Sequence, residues 1–206
     1  MFGLPKSTEM SKQLPKKSIY DKFNMNTVEK EKIDSDISRI TIINEISQIN
    51  VNIPEGAKVK NFFVLLVLLK RKNYNNQTIT TLSRIMPQYV LFALKYEDEV
   101  KLAVYNTKLI QTQWIPIENA SIQLKGLNLD AAWENIVCQI GGIEIENGHT
   151  LEQQIELEIE QERINKEIAR LEKLARTEKQ PRKKFELVQE IKHLKKEWNN
   201  IYDKKN

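Results

Sequence analysis

Asn61-Phe62-Phe63-Val64-Leu65-Leu66-Val67-Leu68-Leu69, closed by Lys70-Arg71-Lys72, decides how the rest of the chain folds. Eight consecutive apolar residues, rich in aromatic and β-branched types, predict a strand covered on both faces. A buried helix segment is the alternative reading. Turn signals on each side, Pro54-Glu55-Gly56 and Asn73-Tyr74-Asn75-Asn76, favour the strand. The run is too short to cross a bilayer, which takes about 20 apolar residues. A strand covered twice needs other elements on each face, and residues 1–145 have to supply them.

Upstream, Leu4-Pro5 and Leu14-Pro15 each force an extended leucine and predict an N-terminal arm pinned by Leu4 and Leu14. Its lysines, Lys6, Lys12, Lys16 and Lys17, offer a weak phosphate-contacting set. A short helix is expected over Ser18–Phe23. A second begins at Asn26, where Asn26-Thr27-Val28-Glu29 has the form of a capping box. Ser38–Ile46 predicts a strand with Ile40, Ile42 and Ile46 on one face and Ile43 as the exception. Val51-Asn52-Ile53 is expected to be extended.

Downstream, Ile79, Leu82, Ile85 and Met86 stand at helical spacing up to Pro87. Tyr89–Lys95 and Val100–Tyr105 predict a β-hairpin, and Lys108–Trp114 a looser third strand. Ile122–Gly126 is ambiguous. Asp130 is a candidate N-cap for a helix over Ala131–Ile140, ended by Gly141-Gly142. The expected architecture of residues 1–146 is an α+β domain with an N-terminal arm and an antiparallel or mixed sheet.

Asn147-Gly148-His149-Thr150 marks a hinge into a different composition. From Leu151 onward there is one proline and no glycine. Ile164, Ile168, Leu171 and Ala175, then Leu187, Ile191, Leu194, Trp198 and Ile201, repeat at four and three residues, a coiled-coil seam. Pro181 suits the first turn of a second helix. An antiparallel helical hairpin over residues 150–206 is the favoured arrangement. A long kinked helix that pairs with another copy is the alternative.

Residues 151–162 hold five glutamates and no base, whereas residues 163–196 hold twelve Lys or Arg against five Glu. Arg182-Lys183-Lys184, with Arg176 and Lys179, falls at the tip of the expected hairpin. Such a cluster is either a solvated face with i,i+4 pairs such as Glu162–Lys166, or a contact surface for nucleic-acid phosphates or an acidic partner.

The net charge of +4 is too modest to imply nucleic acid by itself. The single cysteine, Cys138, excludes an internal disulfide and is expected to be a buried, inert thiol. Met1–Lys6 lacks the apolar core of a signal peptide, so a cytoplasmic protein is expected. The two histidines, His149 and His193, have no metal-ligand companions, and no phosphate-cradling glycine loop occurs. No cofactor, metal or catalytic set is therefore expected. The one enzyme-like fragment is Glu99-Val100-Lys101, the acidic-x-Lys end of a metal-dependent nuclease motif. It needs a further carboxylate, for which Asp36 and Glu45 are the candidates.

Phe2-Gly3-Leu4-Pro5-Lys6-Ser7-Thr8-Glu9, Leu14-Pro15-Lys16-Lys17, Ile85-Met86-Pro87-Gln88-Tyr89-Val90-Leu91-Phe92 and Gln123-Leu124-Lys125-Gly126-Leu127-Asn128-Leu129-Asp130 together resemble a bacterial family catalogued only as a domain of unknown function. The similarity covers most of residues 1–145, and related chains also end in a charged coiled coil. The resemblance implies a setting beside superfamily 2 DNA helicases and site-specific DNA methyltransferases, as in type III restriction–modification-like defence loci. It supplies no catalytic motif. The function expected is thus a non-enzymatic accessory or adaptor that binds such a helicase or methyltransferase. A DNA- or RNA-binding module using the basic tip is the alternative, and a nuclease is the weakest reading. The coiled coil also offers a route to homo-oligomerisation.

Overall fold

The computed structural model describes residues 2–145 and 149–203, with side chains to Asn199. The chain divides into two compact units, Met1–Glu144 and Ile145–Asn206. Residues 146–148, which include Asn147 and Gly148 of the expected hinge, lie outside the described residues, as does the side chain of Ile201.

The first unit is built on one mixed sheet. Its strands are β1 (Glu9–Leu14), β2 (Ile37–Ser47), β3 (Asn61–Leu69), β4 (Tyr89–Tyr96), β5 (Glu99–Asn106), β6 (Lys108–Gln111) and β7 (Ile115–Pro116). They lie in the order β1-β2-β3-β4-β5-β6, with β7 also paired to β5. Every neighbouring pair is antiparallel except β3 and β4. That parallel pair needs a crossover, and the helix α4 (Asn76–Ile85) provides it.

β3 is covered on both faces, as its continuous apolar run requires. On one face Phe62 meets Trp133 of α5 (Leu129–Gly141), with ring centroids 5.2 Å apart. On the other, Leu65, Val67 and Leu69 join a core with Ile33 of α2 (Thr27–Asp36) and Ile79 and Leu82 of α4. Phe62, Leu65, Leu91 and Phe92 are no more than 2% exposed. Each such burial contributes about 1.5–3 kcal/mol. The capping box at Asn26 forms: its side chain accepts from Glu29 N–H, while the Glu29 carboxylate accepts from Asn26 N–H.

Several local expectations are corrected. β2 carries register shifts between Ile37 and Arg39 and between Ile42 and Asn44. The second inserts Ile43 and reverses the alternation, because a bulge adds one residue to a period-2 strand. Ile40 and Ile42 therefore pair with Val67 and Leu65, whereas Ile46 pairs with Phe62 on the opposite face. The N-terminal segment is more than an arm, since Glu9–Leu14 forms the edge strand β1. Gln48–Val51 forms one helical turn, α3, ended by Asn52 at φ 54°, so Val51–Asn52 is not extended. The N-cap of α5 is Asn128, whose side chain accepts from Ala131 N–H at 2.9 Å. Asp130 is inside the helix and reaches elsewhere: its carboxylate accepts the backbone N–H groups of Ala57, Lys58 and Val59. Cys138 is half-buried, not enclosed.

The second unit consists of α6 (Leu151–Thr177) and α7 (Pro181–Asp203), which pack against each other as an antiparallel hairpin. Thr150 caps α6 in a box with Gln153. Pro181 takes the first position of α7, where its missing N–H costs nothing. The seam is closed within the chain: Ile164, Leu171, Ala175 and Ile191 are buried, while Ile168, Leu187, Leu194 and Trp198 are half-buried.

Candidate interaction surface on the helical hairpin

The turn of the hairpin is short. Glu178–Gln180 joins α6 to α7, the Glu178 carboxylate accepts Gln180 N–H at 2.8 Å, and Lys184 N–H already bonds to Gln180 C=O at 3.0 Å. Two long helices converging on so tight a turn fix the backbone of every residue that flanks it. Arg176, Lys179, Arg182, Lys183 and Lys184 all lie here and all are exposed. Arg182 pairs with Glu186 at 3.4 Å. Among the described residues, Arg176, Lys179, Lys183 and Lys184 have no carboxylate within ion-pair distance.

Farther from the turn several cations are engaged. Arg163 and Arg170 each grip a glutamate three residues earlier, Glu160 and Glu167, through two guanidinium nitrogens. Lys195 bonds Glu172 across the hairpin at 3.3 Å. Lys173, Lys192 and Lys196 are exposed and, like the tip cations, have no carboxylate within ion-pair distance among the described residues, so free positive charge runs from the tip along both helices.

Two features here were not found from sequence. Phe185 is 63% exposed, in the middle of the basic tip. The second is a shallow groove of about 440 Å³ between the helices, lined by Ala175, Val188 and Ile191, by Arg176, Lys184, Lys192 and Lys195, and by Glu172. The hydrophobic seam masked Phe185, because it falls two residues before Leu187 and belongs to no core position.

The N-terminal lysines belong to the other unit. Lys16 is already used: its ammonium bonds the Asp34 carboxylate and, at 3.1 Å, Ile37 C=O. Lys6 and Lys17 are exposed.

The nuclease-like fragment is placed on β5. Glu99 is ion-paired to Lys72. The Lys101 ammonium stands over the rings of Trp114 (5.2 Å) and Tyr74 (5.9 Å). Burial, followed by the positive charge of Lys72, lowers its pKa. Asp36 is saturated by other groups: Arg71 Nη2 at 2.6 Å, Thr78 Oγ1 at 2.8 Å and Asn75 N–H at 3.0 Å. Glu45 sits on β2 opposite Phe63. Among the described residues, no three His, Cys, Asp or Glu side chains are grouped where they could hold a metal ion, and no helix is long and apolar enough to cross a membrane.

Fold and surface together define a mixed-sheet α+β unit joined to a helical hairpin with a cationic tip. Residues 2–197 match the family described as Domain of unknown function (DUF4391), and the chain belongs to that family. No curated protein and no solved structure matches it.

Proposed function

We propose that this chain is a non-enzymatic accessory protein that contacts nucleic acid through the tip of its hairpin. The observation that carries the reading is the set of exposed, unpaired cations, Arg176, Lys179, Lys183 and Lys184, on and flanking one tight turn. Phosphates attract such a set without regard to sequence, and counterion release supplies the driving force. Phe185 adds an aromatic face on which an unpaired base can stack. In the setting that the family resemblance implies, the protein partner is a DNA helicase or a DNA methyltransferase of a restriction–modification-like defence system.

The test is the affinity for duplex DNA and single strands as a function of salt. Four phosphate contacts give a slope of log K against log salt of about −3.5 on a duplex, or a loss of about a hundredfold between 50 and 200 mM salt. An affinity indifferent to salt would contradict the reading.

A further inference from the structure

Ile42, Phe63 and Val90 stand on β2, β3 and β4, on the face that α2 and α4 cover farther along the sheet. Phe63 pairs with Val90 across the parallel ladder, and Ile42 pairs with Leu65 one step on. Here the helix layer is open, although Ser18, Ile19 and Lys22 of the helix Lys16–Lys22 share in lining the groove it leaves. α4 ends at Ile85, and the surface past it is a groove of about 320 Å³ that these side chains share with Phe23 and Met86. Ile42, Phe63, Phe23 and Met86 pack against the core yet remain half-exposed. A concave, mostly apolar surface left open in this way suits the apolar stripe of a partner's helix.

Two cations line the same groove. Lys12 of β1 is exposed, and Lys22 of α1 (Lys16–Lys22) is held 5.4 Å from the centre of the Phe23 ring. Neither has a carboxylate partner among the described residues, and no carboxylate lines the groove. Glu45, opposite Phe63 in the ladder, lies outside the lining.

We propose that this groove docks an amphipathic helix of a protein partner, with its apolar stripe on Phe63 and Met86 and its acidic flank on Lys12 and Lys22. The layer itself sets the kind of occupant. α1, α2 and α4 already pack on the same face, with Ile19, Ile33, Ile79 and Leu82 in one core, and a further helix continues that layer. The lining sets the charge, since two unpaired ammonium groups at an apolar groove favour a glutamate- or aspartate-flanked stripe over a basic one. The groove offers few polar groups to orient a small molecule, Ser18 and Gln88 among them. The inference rests on the accessory reading only in supposing a protein partner. It involves neither the hairpin nor nucleic acid.

The test uses the full-length chain and two designed helical peptides of about 20 residues, long enough to hold a helix. Both carry the same leucine stripe; one is flanked by glutamates and the other by lysines. The glutamate peptide is expected to bind at least about fivefold more tightly, as two exposed ion pairs allow. The double variant Lys12→Glu, Lys22→Glu is expected to reverse that preference. Both positions are exposed, so the fold should be kept, and circular dichroism checks it. Met86→Glu is expected to weaken both peptides. Failure of the glutamate peptide to bind at millimolar concentration, equal affinity for the two peptides, or a preference unmoved by the lysine reversals would overturn the proposal. DNA affinity measured on the same variants separates this outcome from the nucleic-acid reading, because Lys12 and Lys22 are not expected to change it.

Discussion

Asp130 Oδ1 accepts the backbone N–H of Val59 at 2.7 Å, across 71 residues of sequence. The second oxygen takes Ala57 N–H at 2.7 Å, so one carboxylate organises the whole approach to β3. Gly56 makes room for it, since a Cβ there would lie 2.1 Å from Asp130 Oδ1. The N–H bond from Val59, opposed by burial and reinforced by those from Lys58 and Ala57, holds the Asp130 carboxyl below the usual carboxylate range. Its stabilising effect is therefore full above the unfolded carboxylate pKa and is lost as pH falls through the depressed value. Asp130→Ala should cost about 1–2 kcal/mol at neutral pH, as expected for bonds to a charged acceptor. Thermal unfolding against pH should show a shallower decline below pH about 4 than in the parent chain.

Asp36 makes the same argument in a buried setting. Its side chain is 1% exposed, whereas that of its partner Arg71 is 56% exposed. Burial alone would raise its pKa, but the bonds from Arg71, Thr78 and Asn75 outweigh burial and leave it depressed. Asp36→Ala leaves the buried Thr78 hydroxyl and the Asn75 N–H without their acceptor and uncaps the loop that leads into α4, while the exposed Arg71 is solvated. A loss of about 1–3 kcal/mol is expected from chemical denaturation, the cost of leaving buried donors unsatisfied. Asp36→Asn should recover part of it through Thr78.

Gly126 lies against the first turn of α5. A Cβ there would meet the Ala132 nitrogen at 2.4 Å and the Ala131 carbonyl carbon at 2.8 Å, and neither is the flexible end of a side chain. Gly126→Ala should destabilise the first unit by about 1–3 kcal/mol, the usual cost of overpacking. The neighbouring Leu127 is 92% exposed, and Leu127→Ala should leave the unfolding midpoint unchanged.

Leu171 is 1% exposed in the seam of the hairpin. Leu171→Ala should remove about 2–4 kcal/mol and lower the helical signal on heating. Leu174, three residues on and 43% exposed, should tolerate the same change.

The parts of this fold that could be read from the chain were those with a local cause. β3 declared itself by apolar continuity, α2 by its capping box, and the hairpin by its seam. β1 could not be read, because Glu9-Met10-Ser11-Lys12-Gln13-Leu14 is an edge strand with little to bury and no alternation to show. The side of Ile46 was misassigned because a bulge is not encoded by period-2 counting. Asp130 looked like a cap because its true partners lie some seventy residues away. The tip cations were legible as a run of charge. The groove was not, because Lys12, Phe23, Phe63 and Met86 come together only once the sheet has formed.

The most direct test of the account is the duplex-DNA affinity of the triple variant Arg176→Glu, Lys183→Glu, Lys184→Glu at low salt. All three residues are exposed and outside the seam, so the unfolding midpoint should stay unchanged. The account predicts a loss of about a hundredfold or more and a flattened salt slope. An affinity and slope equal to those of the parent chain would contradict it.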